Sequence, residues 1–150
     1  LLEKAANVLQ SWALLKWIVI QCPGKDQSAD IVLVDTSIWV THQREGNQHL
    51  ETLLLDAAVL CHPFIVGELA CGNLRNRNEI LSLLQTLPMA PIVEFDEFLH
   101  FIDRNRLVGI GMGFVDVHLL ALSRLAGIPL WTSDKTLMSA AINLDLKYRR

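Results

Sequence analysis

The chain has 150 residues and a mass of 16.8 kDa, which suits one compact domain. It is 51% hydrophobic and 19% charged, which excludes an intrinsically disordered chain and leaves enough apolar side chains for a sizeable core. A net charge of −3 and a pI near 5.9 exclude a generally basic nucleic-acid coat, so any nucleic-acid contact must come from a local basic patch.

Residues 1–30 read as a unit apart from the rest. Leu1, Ala5, Val8, Leu9, Trp12, Leu15 and Val19 recur at helical spacing, which predicts an amphipathic helix over residues 2–20 that packs on protein. Lys16 interrupts the densest apolar run, which is too short to span a bilayer. No small-residue cleavage site precedes Cys22, so a secretory signal is not expected. Residues 22–30, CPGKDQSAD, form a polar linker, and the folded domain is expected over residues 31–150.

From Ile31 the pattern changes. IVLV at 31–34 is the short, continuously apolar run of a strand buried on both faces in a parallel sheet. Asp35-Thr36-Ser37 stops it and caps a short helix through Trp39. Gly46 leads into a helix over 47–58 with Leu50, Leu53, Leu54 and Ala57 inward, and residues 58–61 form a second short strand. Pro63 suits the first turn of a helix over 64–74, and another helix over 79–87 ends at Pro88. Pro91-Ile92-Val93 reads as a third strand. Residues 95–107 form an amphipathic helix with Phe95, Phe98, Leu99 and Ile102 on one face. A long helix over 115–127 is closed by Gly127, IPLWT at 128–132 is a fourth strand, and a last helix starts near Ser133. Strands alternating with helices predict an α/β domain with a mainly parallel sheet.

Four acids stand at telling places in this pattern. Asp35 ends the first strand, and Asp134 follows the last one. Asp116 opens a helix after the turn GIGMG, and Glu68 sits among Ile65, Val66, Leu69 and Ala70. Ligands bind an open parallel sheet at the carboxyl ends of its strands, the edge on which Asp35 and Asp134 must lie. Taken singly, each Asp is accounted for by helix capping and Glu68 by facing solvent. Together they would repel one another unless a cation neutralised them. All-oxygen ligation selects Mg²⁺ or Mn²⁺ over zinc. Such a centre activates water and stabilises a phosphodiester under attack. Thr36, Ser37, Thr132 and Ser133 are placed to hydrogen-bond the carboxylates or their waters. The glycines of GIGMG would let backbone approach a phosphate.

VDTSIWV (34–40), HPFIVGELACGNL (62–74), GIGMGFVDVHLLA (109–121) and LWTSDKTL (130–137) resemble the successive motifs of the PIN-domain family. Within it they look most like the VapC-like toxin ribonucleases of bacterial VapBC toxin–antitoxin pairs. The resemblance covers residues 31–146, in order and on the expected elements. It implies a PIN-like, Rossmann-like three-layer fold, a mainly parallel sheet between helices. It also implies metal-dependent RNA hydrolysis, with Asp35 and Asp116 as the principal Mg²⁺ (or Mn²⁺) ligands and Glu68 and Asp134 completing the shell. A homodimer and a VapB-like antitoxin over the active-site groove follow from the same likeness, while the short apolar run predicts no membrane association and the cysteine usage a cytoplasmic location. Residues 1–30 are the departure, since members begin only a residue or few before their first strand.

Other features have plainer explanations. His62, His100 and His118 are read as non-catalytic, His118 facing away from Asp116 because i and i+2 share no helix face. Cys71 is expected in the core. Cys22, Cys61 and Cys71 form no C-x-x-C pair, which argues against a disulfide scaffold or a cysteine zinc site and fits a reducing compartment. Glu94, Asp96, Glu97 and Asp103 belong to a solvated helix face. Arg75, Arg77, Arg104, Arg106 and the basic tail 147–150 offer contacts for RNA phosphates or an antitoxin's acids, against a default of plain solvated surface. A haloacid-dehalogenase-type phosphatase would need an Asp where Ser37 stands. A PIN module that no longer cleaves and only binds a partner is the alternative, and the presence of all four acids weighs against it.

Overall fold

Val32–Val34 form strand β1, fully buried on both faces, which an unbroken aliphatic run of this kind requires. In the computed structural model, which describes residues 31–149, β1 is the central strand of a three-stranded parallel sheet. Strand β2 (Val59–Leu60) lies on one side and β3 (Leu130–Trp131) on the other. Val32 stands opposite Val59, Leu33 opposite both Leu60 and Leu130, and Val34 opposite Trp131. Two single parallel bridges widen the sheet, Met89 beside Cys61 and Lys147 beside Leu130. The amphipathic helix and linker expected over residues 1–30 lie outside the described residues, as does Arg150.

Seven helices among the described residues flank the sheet. They are α1 (Thr36–Glu45), α2 (Gln48–Leu55), α3 (Pro63–Cys71), α4 (Arg77–Thr86), α5 (Phe95–Asn105), α6 (Phe114–Ala126) and α7 (Lys135–Asn143). None of them is long and apolar enough to cross a membrane. In α6 every residue from Val117 to Ser123 is buried, so its middle has no face to water and its first turn is held firmly. Gly127 closes α6 at φ +66°, a left-handed conformation that favours glycine.

Several elements differ from expectation, each for a local reason. Helix α1 runs well past Trp39 to Glu45, where Gly46 at φ +76° ends it. Residues 91–93 make no strand. Pro91 has no N–H to give a ladder, and the Val93 N–H donates to His118 Nε2 at 2.8 Å. The sheet is extended by Met89 instead, through Cys61 N–H to the Pro88 carbonyl (2.9 Å) and Ala90 N–H to the Cys61 carbonyl (2.8 Å). On α5, Phe98 and Phe101 point into the core, while Phe95 and Leu99 are exposed. The buried stripe is therefore rotated away from the one the spacing picks out. Ala57 is exposed at φ +53°, just past the end of α2. Cys71 is exposed at the last turn of α3, because Ile65 and Leu69 occupy that helix's inward face.

His62 and His118 are structural, as their positions predict. His62 precedes α3, and its Nδ1 accepts from the Phe64 N–H at 3.0 Å, while Pro63 takes the position where a missing N–H does no harm. The two imidazoles lie 5.2 Å apart among Phe64, Phe98 and Phe114. Burial and the neighbouring His118 push His62 down to about 4, with the Pro91 carbonyl opposing only weakly and Nε2 making no well-formed hydrogen bond. A histidine kept neutral in the fold leaves stability intact above its unfolded value of 6.5. As pH falls from 6.5 toward 4, the unfolded chain takes up the proton first and stability declines, by up to about 3 kcal/mol. His62→Asn keeps a capping acceptor and removes this titration. Urea unfolding at pH 7, 6, 5 and 4.5 is expected to show a shallower decline for the variant than for the parent.

Candidate active site

Asp35 is the residue at which β1 becomes α1. As the N-cap it must offer an acceptor to the free amides of the first turn, and Oδ2 takes the Ser37 N–H at 3.2 Å. The same Oδ2 also accepts from Ser37 Oγ at 2.6 Å and Thr132 Oγ1 at 2.8 Å. Asp35 is only 4% exposed, so these three donors replace the water its carboxylate has lost. Ser37 Oγ in turn accepts from the Ser133 N–H (3.0 Å), and Thr132 Oγ1 from the Asp134 N–H (3.0 Å). The network ties the end of β1 to the turn that follows β3.

The other three acids are anchored in the same fashion. Asp134 caps α7, its Oδ1 accepting from the Leu137 N–H at 2.8 Å. Glu68 is exposed on α3, and its Oε2 accepts from Thr36 Oγ1 at 2.6 Å, which joins α3 to the start of α1. Asp116 is half-buried in the first turn of α6, and its Oδ2 accepts from the Gly113 N–H at 3.1 Å. Burial pushes the Asp116 carboxyl up, the Gly113 N–H pulls it partly back, and the negative charges of Asp35 and Asp134 push it up again. The three aspartates are thus near enough to repel. None of the four acids has an ion-pair partner among the described residues.

One pattern runs through all four. Each carboxylate engages a single oxygen in the fold (Asp35 Oδ2, Glu68 Oε2, Asp116 Oδ2, Asp134 Oδ1) and keeps the other free of hydrogen bonds among the described residues. Among those residues no three Asp, Glu, His or Cys side chains already surround one point at ligating distance. An all-oxygen set of this kind fits a hard ion held by one or two carboxylates and otherwise through water, which is how Mg²⁺ is usually bound. It does not fit zinc, since no Cys or His joins it.

The glycine turn leads directly into the first turn of α6. Gly109 and Gly111 sit at φ +72° and +81°, where glycine is favoured, and the Gly113 N–H is engaged by Asp116. His100 is exposed on α5, and Arg104 and Arg106 lie at that helix's end. Arg149 pairs with Asp145 at 3.3 Å. A cavity of about 1030 Å³ beside Thr36 and Glu68, lined among others by Arg44, Arg75 and Leu83, has no counterpart in the sequence pattern. Arg75 stands out in the chain only as a charge. Arg44 carries no motif, and only the packing of helices shows that the two share one concavity.

Comparison with known proteins agrees with this architecture. The PIN domain family profile matches residues 32–143. Ribonuclease VapC32 of Mycobacterium tuberculosis, in strains CDC 1551 / Oshkosh and ATCC 25618 / H37Rv, is 42% identical over 111 residues, 73% of this chain and 90% of that protein. The crystal structure of PAE2754 from Pyrobaculum aerophilum superposes with a TM-score of 0.56 at 15% identity, covering 75% of this chain and 86% of that one, a likeness of fold.

Thr132 tests the anchoring network. Thr132→Val keeps the shape but removes one donor from buried Asp35 and the acceptor of the Asp134 N–H. The expected loss is about 2 kcal/mol of unfolding free energy, read from urea denaturation. A loss within error would mean that the carboxylate is held by Ser37 alone.

Proposed function

Since the chain belongs to the PIN-domain family, we propose that it is the toxin ribonuclease of a type II toxin–antitoxin pair, hydrolysing RNA phosphodiester bonds with Asp35, Glu68, Asp116 and Asp134 around a divalent ion. The observation that carries this reading is the half-engaged state of all four carboxylates, fixed through one oxygen and uncompensated by any cation among the described residues. Mg²⁺, or Mn²⁺, when bound there supplies charge neutralisation, an activated water and stabilisation of the phosphate's developing charge.

The chain's own residues do the positioning. Ser37 and Thr132 hold the Asp35 carboxylate in one orientation at the strand end. Thr36 orients Glu68 across the gap between α1 and α3. The Gly113 N–H fixes Asp116 at the start of a helix whose middle is fully enclosed. Preset acids of this sort need little reorganisation when substrate arrives, which is where electrostatic catalysis gains its advantage. A VapB-like antitoxin that covers this edge would silence the enzyme. The exposed Phe95, Leu99 and Phe114 support a second copy of the chain as a further partner, in a homodimer working in the cytoplasm.

Incubation of the full chain with defined tRNAs and mRNAs, with Mg²⁺ or with EDTA, tests the assignment. Cleavage is expected with Mg²⁺ only, and Asp35→Asn or Asp116→Asn is expected to reduce it to background. Cleavage that persists undiminished in EDTA, or in both variants, overturns the mechanism. In metal-free buffer Asp116→Asn is also expected to raise the thermal midpoint, because it removes a charge that burial and two neighbouring aspartates disfavour.

A further inference from the structure

The cavity of about 1030 Å³ opens at Thr36 and Glu68, on the acidic edge, and continues between α1, α3 and α4. Its walls are mostly apolar. Trp39 and Val40 come from α1, Leu69 from α3, and Ile80 and Leu83 from α4, with Leu83 61% exposed. Among the described residues Glu68 is the one acid in the lining, and Arg44 and Arg75, both exposed, are its arginines. An apolar concavity open to water is a place for a further apolar surface to bind.

We propose that residues 2–20 of this same chain occupy the cavity, seating the apolar stripe Ala5, Val8, Leu9, Trp12, Leu15 and Val19 against Leu83 and covering the mouth at Thr36 and Glu68. Reach, pattern and charge select this occupant over a separate protein. Residue 31 leads into β1, and β1 leads directly into α1, which carries Trp39, Val40 and Arg44 into the cavity. The ten residues from 21 to 30 can span up to about 33 Å, and the step from Ile31 to Thr36 covers only about 17 Å. The linker is therefore long enough to bring the segment back along β1 to the carboxyl edge. A tethered segment is present at an effective concentration on the order of millimolar, so modest complementarity is enough to hold it. The pattern fits as well, because one apolar stripe on a helix is what fills a cleft between helices. Lys16 falls within that stripe, one turn beyond Trp12, with no Asp or Glu three or four residues to either side. Glu68 at the mouth has no ion-pair partner among the described residues, so the two charges suit each other. Arg44 and Arg75 can lay their stems along the seated segment while their guanidiniums stay in water. The effect on RNA cleavage rests on the ribonuclease function proposed above, and the docking does not.

The test uses the full chain and amide hydrogen exchange read by mass spectrometry, with Trp12→Asp and Leu83→Asp as separate variants. In the parent, residues 2–20 are expected to exchange at least about tenfold more slowly than free chain. The effects of the two charges should cross, Leu83→Asp releasing residues 2–20 and Trp12→Asp speeding exchange in α4. Trp12 lies outside the PIN match at residues 32–143 and Leu83 is 61% exposed, so the amides of α6 should stay protected in both. Cleavage of RNA in Mg²⁺ is expected to rise about tenfold in both variants, as for a site that is open about one-tenth of the time in the parent. Exchange of residues 2–20 at the free-chain rate in the parent, or charges that each act only on their own segment, overturns the docking. Protection that disappears on about hundredfold dilution places the segment on a second copy and overturns it too. Crossed effects without a gain in cleavage, in a parent that cleaves, overturn the cover over the mouth. Crossed effects with no cleavage by any of the three chains remove the ribonuclease assignment and leave the docking standing.

Discussion

The acidic edge depends on how the buried Asp35 carboxyl is hydrogen-bonded where a strand turns into a helix. Asp35 has lost nearly all its water, and Ser37 N–H, Ser37 Oγ and Thr132 Oγ1 stand in for it. A buried carboxylate without such donors would be strongly destabilising, so their presence is a condition of the fold as well as of the site. Two of the donors lie on α1 and the third follows β3. The carboxylate therefore pins neighbouring parallel strands at their carboxyl ends, in the place where an open sheet presents ligands.

Repulsion and rigidity are balanced against each other here. Asp116 is brought toward Asp35 and Asp134 although burial and both charges disfavour its ionised form. What holds it is helix α6, enclosed from Val117 to Ser123 and fastened through His118 to the Val93 amide. Against that histidine pack the rings of Phe64, Phe98 and Phe114, of which Phe98 is buried and Phe114 about half exposed. The core thus supplies the stability that lets like charges stay close.

The two sides of the acidic edge are chemically unlike. Toward α5 and the start of α6 the surface is aromatic, with Phe95 and Phe114 exposed. Toward α1 and α4 it is a concavity walled mainly by apolar side chains, Trp39, Ile80 and Leu83 among them, and lined also by Arg44 and Arg75.

Much of this is legible in the chain. Aspartates at strand ends, a capping Asp-Thr-Ser and an unbroken aliphatic strand are local signals, because each residue's neighbours in sequence decide its conformation. On those grounds the parallel sheet, the helix starts and the positions of Asp35, Asp116 and Asp134 along the chain follow from the residues themselves. Residues 91–93 have the pattern of a strand and do not form one, because a partner 25 positions away, His118, claims the Val93 amide. The buried stripe of α5 likewise depends on which neighbour the helix meets. The pairing of Glu68 with Thr36 and the meeting of Arg44 with Arg75 in one cavity join residues about thirty apart, through the packing of α1 on α3. The sequence alone determined which groups the chain has and which ends of its elements carry them. Tertiary structure decided which of those groups face one another, since hydrogen bonds and packing between distant segments have no local signature.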